Sequence, residues 1–238
     1  MAEIRLGAAW WQSYIGTVFL REIDMYGRVL IGRFLPTITD EEITKMSDDV
    51  EQAEWNRIGS LPGPEEYDES QAVEEAFGAG LEEYQYLHSI RQGIINVFGA
   101  GLYHLFEQQL CKLLRSLIYD RDLQLEKMKE VVKKFREVYG LDLEKFPKWR
   151  EIHTLRLLAN CTKHGEGRSC QELREIEPDL FKHPVYSEPE APPRAFTERP
   201  LGGEGLYLTV SGFERKLQAI REFWRWMAER LVELDDAS

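Results

Sequence analysis

Arg156, Asn160 and His164 recur at a four-residue interval, and with Lys163 they are the side chains whose types and spacing could do chemistry. If 149–163 is helical, a step of four returns to nearly the same side. The three then form a stripe that drifts slowly round the helix while Ile152, Leu155 and Leu158 face elsewhere. An imidazole titrates near neutral pH and can take or return a proton, which makes His164 a candidate acid/base. Asn160 would position it, and Lys163, Arg156 or Arg168 would supply positive charge against a developing anion. Gly165 and Gly167 give the backbone freedom that ends a helix, and Ser169-Cys170-Gln171-Glu172 has the form of a capping box that opens a short new one. His164 therefore sits at a helix end beside a turn. The same positions also suit a structural role, with Asn160 and His164 capping the helix end and the turn.

Other constellations point to less. Cys161, His164, Cys170 and His153 carry donor atoms suited to zinc, but their spacing fits no paired-knuckle pattern, and neither a metal nor another cofactor is expected. Ser169 and Cys170 have no evident base to orient them, which argues against a covalent nucleophile. Phe-Gly-Ala-Gly-Leu occurs at 77–81 and again at 98–102. A phosphate loop would follow a strand and open a helix; neither copy has that setting, so both read as close helix packing. Glu107 either faces the stripe from a neighbouring helix or serves as a pairing residue.

Positioning the stripe requires a frame, and the apolar periodicity predicts a helical one. The pattern is nearly continuous over 71–118, with a break or kink near Gln92-Gly93, and 98–118 carries a wide apolar face suited to the centre of a bundle. A charged amphipathic helix follows over 122–139 and stops at Gly140. Residues 171–175 read as a short helix, 206–210 as a short strand or an extended arm, and 213–234 as a long amphipathic helix. At the N-terminus, steps of three and four from Trp11 to Tyr26 favour a helix, although 28–35 fits a strand equally well. Thr39-Asp40-Glu41-Glu42 opens another helix that ends near Gly59, and 60–70 is a loop. Residues 183–205 hold five prolines and three glycines and read as a long surface excursion or lid. The prediction is an all-α helical bundle of about seven helices with a long Pro-rich surface excursion. It divides into an N-terminal helical extension, 1–60, and a bundle, 61–238, or forms one continuous domain, 1–238.

At 238 residues with three cysteines, the chain needs no disulfide to build a core. It has no signal-like start and no apolar run near the ~20 residues that span a bilayer, so a cytoplasmic protein without a membrane partner is expected. A net charge of −12 argues against general affinity for polyphosphate. Lys112, Arg115, Lys127, Lys129, Lys133, Lys134 and Arg136 offer a local basic patch, or a solvated face balanced by Glu126, Glu130 and Glu137.

A long helix at 98–118, followed by a helix that ends in a polar-x-x-x-His step before a turn, resembles the HEPN superfamily of small helical bundles. The motif there is Arg, a polar residue, three variable positions and His. Asn160-Cys161-Thr162-Lys163-His164 matches the polar-x-x-x-His part; Ala159 stands where the family has arginine, and the nearest, Arg156, precedes His164 by eight positions. Helical side chains lean toward the N-terminus, so Arg156 points away from His164 in a regular helix. The segment 163–169, with Pro178-Asp179-Leu180-Phe181, is similar to a block in uncharacterised bacterial proteins and implies no activity. The resemblance spans 94–235 and leaves 1–60 outside. It implies a HEPN-like core, a homodimer, and a role in a bacterial defence or toxin-antitoxin type system. Metal-independent RNA cleavage would then be carried by His164, Asn160, Lys163 and Arg156. The alternative is a non-catalytic dimerising helical module with a protein partner.

Overall fold

Apolar steps of three and four become helices throughout the computed structural model, which describes residues 7–60, 69–119, 125, 128–184, 196–197 and 199–236; no strand occurs among them. The N-terminal rod runs as α1 (Ala8–Tyr14), a π turn (Ile15–Phe19), α2 (Leu20–Val29), a second π turn (Leu30–Phe34) and a 3-10 turn (Leu35–Thr37). Trp11, Ile15, Phe19 and Ile23 repeat every four residues and are all buried. A repeat of four overshoots the α-helical period by about 40° per step, and the wider π turn absorbs that drift. So 28–35 is helical rather than a strand.

The remaining helices are α3 (Asp40–Gly59), α4 (Glu69–Ile118), α5 (Met128–Tyr139), α6 (Trp149–His164), α7 (Arg168–Ile176) and α8 (Val210–Asp236). Division of the rod by its π turn makes the count of helical segments differ slightly from the seven expected. The Thr39 hydroxyl accepts the Glu42 N–H at 3.3 Å, so the box before α3 forms its cap as the sequence predicts. The main core lies where α4, α6, α8 and the rod meet. Phe106 packs edge-on against Phe223 with centroids 5.0 Å apart, Phe19 meets Trp224 at 4.6 Å, and Leu155, Leu157 and Leu158 of α6 fill the space between.

α4 is not broken at Gln92-Gly93. Its glycine instead lets another segment cross, since a Cβ at Gly93 would collide with the Leu201 carbonyl oxygen. Residues 206–209 form an extended arm and not a strand. Asn96, with no exposed surface, holds it: Nδ2 donates to the carbonyls of Pro200 (2.8 Å) and Leu206 (2.7 Å), while Oδ1 accepts Leu208 N–H at 3.2 Å. The end of the expected surface excursion is therefore packed, with Thr197 and Pro200 buried; 185–195 lie outside the described residues. Both glycine repeats serve packing, Gly80 against Glu51 of α3, Gly99 against Leu158 and Leu208, and Gly101 against the Tyr26 hydroxyl. The expected start of α5 at 122, the loop 61–68, Glu126 and Lys127 also fall outside the described residues. No described helix is long and apolar enough to cross a membrane.

Candidate functional site on the polar face of the central helix

Burial of Ile152, Leu155, Leu157, Leu158, Ala159 and Cys161 commits most of α6 to the core. Beyond the first turn of α6, what remains at least partly exposed is a single face, His153, Arg156, Asn160, Lys163 and His164. Gly165 ends the helix at φ 69°, a left-handed value open to glycine without strain. The N-terminal end is fixed from α8 by Lys216, whose side chain has no exposed surface. Its ammonium donates to Thr154 Oγ1 at 2.8 Å and Glu177 Oε1 at 2.9 Å, with Glu151 Oε2 at 3.5 Å. Burial alone would raise the Glu177 carboxyl, but the Lys216 charge and its hydrogen bond outweigh that and hold it below the usual range.

The four predicted residues share this face without forming one cluster. Arg156 and His164 are eight positions apart, about 12 Å along the axis. His164 and Lys163 are exposed, and neither has a hydrogen bond or ion pair among the described residues. Asn160 Nδ2 donates to Ser169 Oγ at 3.3 Å. Ser169 does not cap α7, because that helix already starts at Arg168 with Gly167 in the cap position and no side-chain cap bond.

Arg156 belongs to a different group. Its Nη2 lies 3.5 Å from Nδ1 of His153, one turn back, and His153 Nε2 is 2.9 Å from Glu172 Oε1 of α7. In the neutral form of the ring, Nε2–H donates to the carboxylate and the Nδ1 lone pair faces the guanidinium. His153 occupies the same stripe three residues before Arg156. That spacing is the sequence signal for it, although the sequence suggested His153 only as a zinc donor.

Arg156 and His153 line a pocket of about 280 Å³ between α4, α5 and α6, with Tyr103, Met128, Lys129, Val132, Lys133, Arg136, Glu144, Trp149 and Ile152. Arg136 is paired with Asp142 (2.8 Å) and Glu144 (3.0 Å), and Lys133 with Glu137 at 3.5 Å. Arg156 and Lys129 have no carboxylate partner among the described residues. Glu107 backs the pocket wall, accepting the Tyr103 hydroxyl at 3.1 Å, with His104 Nδ1 at 3.6 Å from its other oxygen. Burial, reinforced by the Glu107 charge, pushes the Tyr103 phenol far up, so it stays protonated.

Behind the C-terminal end of α6, Cys161 and Cys170 are buried and hydrogen-bonded to one another, and that bond together with burial raises the Cys161 thiol. Arg174 closes the cluster, with Glu166 at 2.7 Å and its guanidinium 4.6 Å from the Phe181 ring centroid. No three His, Cys, Asp or Glu side chains among the described residues gather as metal ligands. Compared with protein-family models, curated proteins and solved structures, the chain finds no match. Geometry is therefore the basis on which the site is read.

Proposed function

We propose that the chain is a HEPN-like helical protein of a bacterial defence or toxin-antitoxin type system, acting in the cytoplasm as a metal-independent endoribonuclease. In this reading Arg156 and His153, rather than Asn160 and His164, meet the phosphodiester. One observation carries the choice: Arg156, which has no carboxylate partner among the described residues, stands beside an imidazole whose other nitrogen is bonded to Glu172. His153 Nδ1 takes the proton of the ribose 2′-hydroxyl as that oxygen attacks phosphorus. The bond to the 5′-oxygen breaks, the leaving oxygen takes a proton from water, and a 2′,3′-cyclic phosphate and a 5′-hydroxyl result; the hydroxide left behind takes the proton that His153 gained. Arg156 neutralises the charge that builds on the non-bridging oxygens, and Glu172 stabilises the imidazolium while fixing its tautomer.

A second reading, a non-catalytic dimerising module, draws on an open groove of about 740 Å³ where Met25 and Val29 of α2 and Phe98 and Leu105 of α4 meet. Met25 and Val29 are 49% and 37% exposed. The test is cleavage of a mixed RNA pool with and without EDTA by wild type, His153→Ala and His164→Ala, each checked for folding by circular dichroism. Cleavage that resists EDTA, falls about 100-fold or more in His153→Ala and largely persists in His164→Ala is the expected result. Absence of cleavage, with Met25→Glu shifting the oligomer in light scattering, favours the second reading.

A further inference from the structure

Large apolar side chains normally fill the seam between two packed helices, and the pairing of α3 with the first half of α4 reverses that arrangement. Neither α3 nor residues 69–93 contribute to the main core. Their own seam is built from small side chains. Ala72, Ala76 and Gly80 are the buried residues of 69–92, Ile43, Ser47 and Ile58 those of α3, and Gly80 lies against Ser47 and Glu51. The ion pairs Asp40–Arg91 and Arg57–Glu75 fix the same antiparallel register, in which Trp55 comes level with Ala76. On the outer flank Val73, Phe77 and Leu81 recur every four residues over about 12 Å and are 52%, 56% and 42% exposed. Trp55, exposed as well, stands one turn beyond Glu51 on that side. Such a stripe on a folded chain marks a surface that something covers.

The charge around the stripe says what. Residues 40–83 hold fifteen of the chain's 42 acidic residues and two of its 30 basic ones, Lys45 and Arg57. Arg57 is held by Glu54 and Glu75, whereas Asp48, Glu51 and Glu74, which border the stripe, have no ion pair among the described residues. An RNA or an anionic lipid surface is repelled there, and a second copy of the same stripe would set carboxylates against carboxylates. The basic α5 of a second copy has cations to offer, Lys129, Lys133 and Arg136, but its Val131, Val132 and Phe135 are buried, so it has no large apolar side chain to lay on Phe77. We infer that α3 and the first half of α4 dock a basic amphipathic helix of a partner protein. Its apolar side chains at i, i+4 and i+7 meet Val73, Phe77, Leu81 and Trp55, and its lysines or arginines meet Asp48, Glu51 and Glu74. This surface is separate from the proposed RNA cleavage, since none of its residues lines the pocket beside Arg156.

Fluorescence anisotropy with the full chain tests this against three labelled peptides of about 18 residues, five helical turns. One carries leucines at i, i+4, i+7 and i+11 flanked by lysines and arginines; the second has glutamates in place of those cations; the third scrambles the first at constant composition. The first is expected to bind at least about tenfold more tightly than either of the others. Phe77→Ser, and separately Asp48→Lys with Glu74→Lys, are each expected to weaken it about tenfold. All three side chains are exposed, so circular dichroism and melting temperature should stay as in wild type. A scrambled peptide that binds as tightly as the amphipathic one would reduce the surface to a general polyanion and overturn the inference. Tight binding of the glutamate peptide, binding that survives both sets of substitutions, or no binding at all would overturn it too. So would an oligomer of the chain alone that Phe77→Ser dissociates in light scattering, which assigns the stripe to a second copy. Phosphatidylserine vesicles that sediment wild type but not Phe77→Ser would assign it to a membrane and likewise end the proposal.

Discussion

Lys216 shows how a single buried charge can govern the element that carries the site. Its ammonium is held by Glu177 and Thr154, with Glu151 at the edge of reach. A buried pair adds little over a well-packed apolar pair, whereas removing one partner leaves a charge out of water with nothing to balance it. Glu177→Gln should therefore cost about 3 kcal/mol in urea unfolding, and Lys216→Met with Glu177→Gln should restore much of the loss. The same logic sets an acid limit. Glu166, bonded by Arg174, and Glu177, where Lys216 outweighs burial, both titrate lower in the folded chain than in the unfolded one. As pH falls the unfolded chain takes up protons first, so their contribution is complete above about pH 5 and is lost as pH drops through the lowered folded values. Melting temperature followed from pH 6 to pH 3 should fall along that course, and the fall should be shallower in the doubly substituted chain.

At the scale of elements, two glycines of α4 make contrasting demands. At Gly93 the obstacle to a Cβ is the backbone carbonyl of Leu201, which the Asn96 clasp prevents from retreating. At Gly101 the obstacle is the Tyr26 hydroxyl, the far end of a side chain that donates to the Phe98 carbonyl at 3.1 Å and can turn aside. Gly93→Ala should destabilise by about 2 kcal/mol or more. Gly101→Ala should stay within about 1 kcal/mol of wild type, because alanine's higher helix propensity offsets the lost bond. Chemical denaturation of the two variants side by side separates them. The contrast also marks what the sequence could convey. The apolar steps of α4, α6 and α8 were legible because burial of one wide face imposes a local period. Gly93 read as a break because its crossing partner lies more than a hundred positions away, and glycine's permissiveness does not announce what it permits. Arg156 and the stripe were legible for the same periodic reason. The His153–Glu172 pair spans 19 positions and two helices, and the pocket needs α4 and α5 as well, so neither followed from spacing along one helix. The displaced arginine was visible in the order of residues, and the structure gives it a neighbour other than His164.

For the whole molecule, the rod enters the same core as the rest, with Phe19 against Trp224 and Gln109 Nε2 donating to the Phe19 carbonyl at 3.2 Å within the first π turn. A π turn loosens the local ladder, and Gln109 satisfies the carbonyl from a neighbouring helix. The rod is thereby tied to α4 by a polar bond as well as by burial. The α4–α5–α6 pocket has a different reach. Its cations occupy a small recess of a body carrying −12 overall, so the field met within about one Debye length of the exterior is repulsive to anions and reverses only close to the pocket wall. Arrival and retention then respond oppositely to ionic strength. In stopped-flow experiments, raising salt from about 20 to 150 mM, which shortens the Debye length from about 20 to 8 Å, should speed the encounter of a long RNA while hastening its departure. A dinucleotide, carrying few charges, should show the faster departure with little change in its rate of arrival. The acidic exterior would thus act as a kinetic filter that favours short, lightly charged visitors over long polyanions.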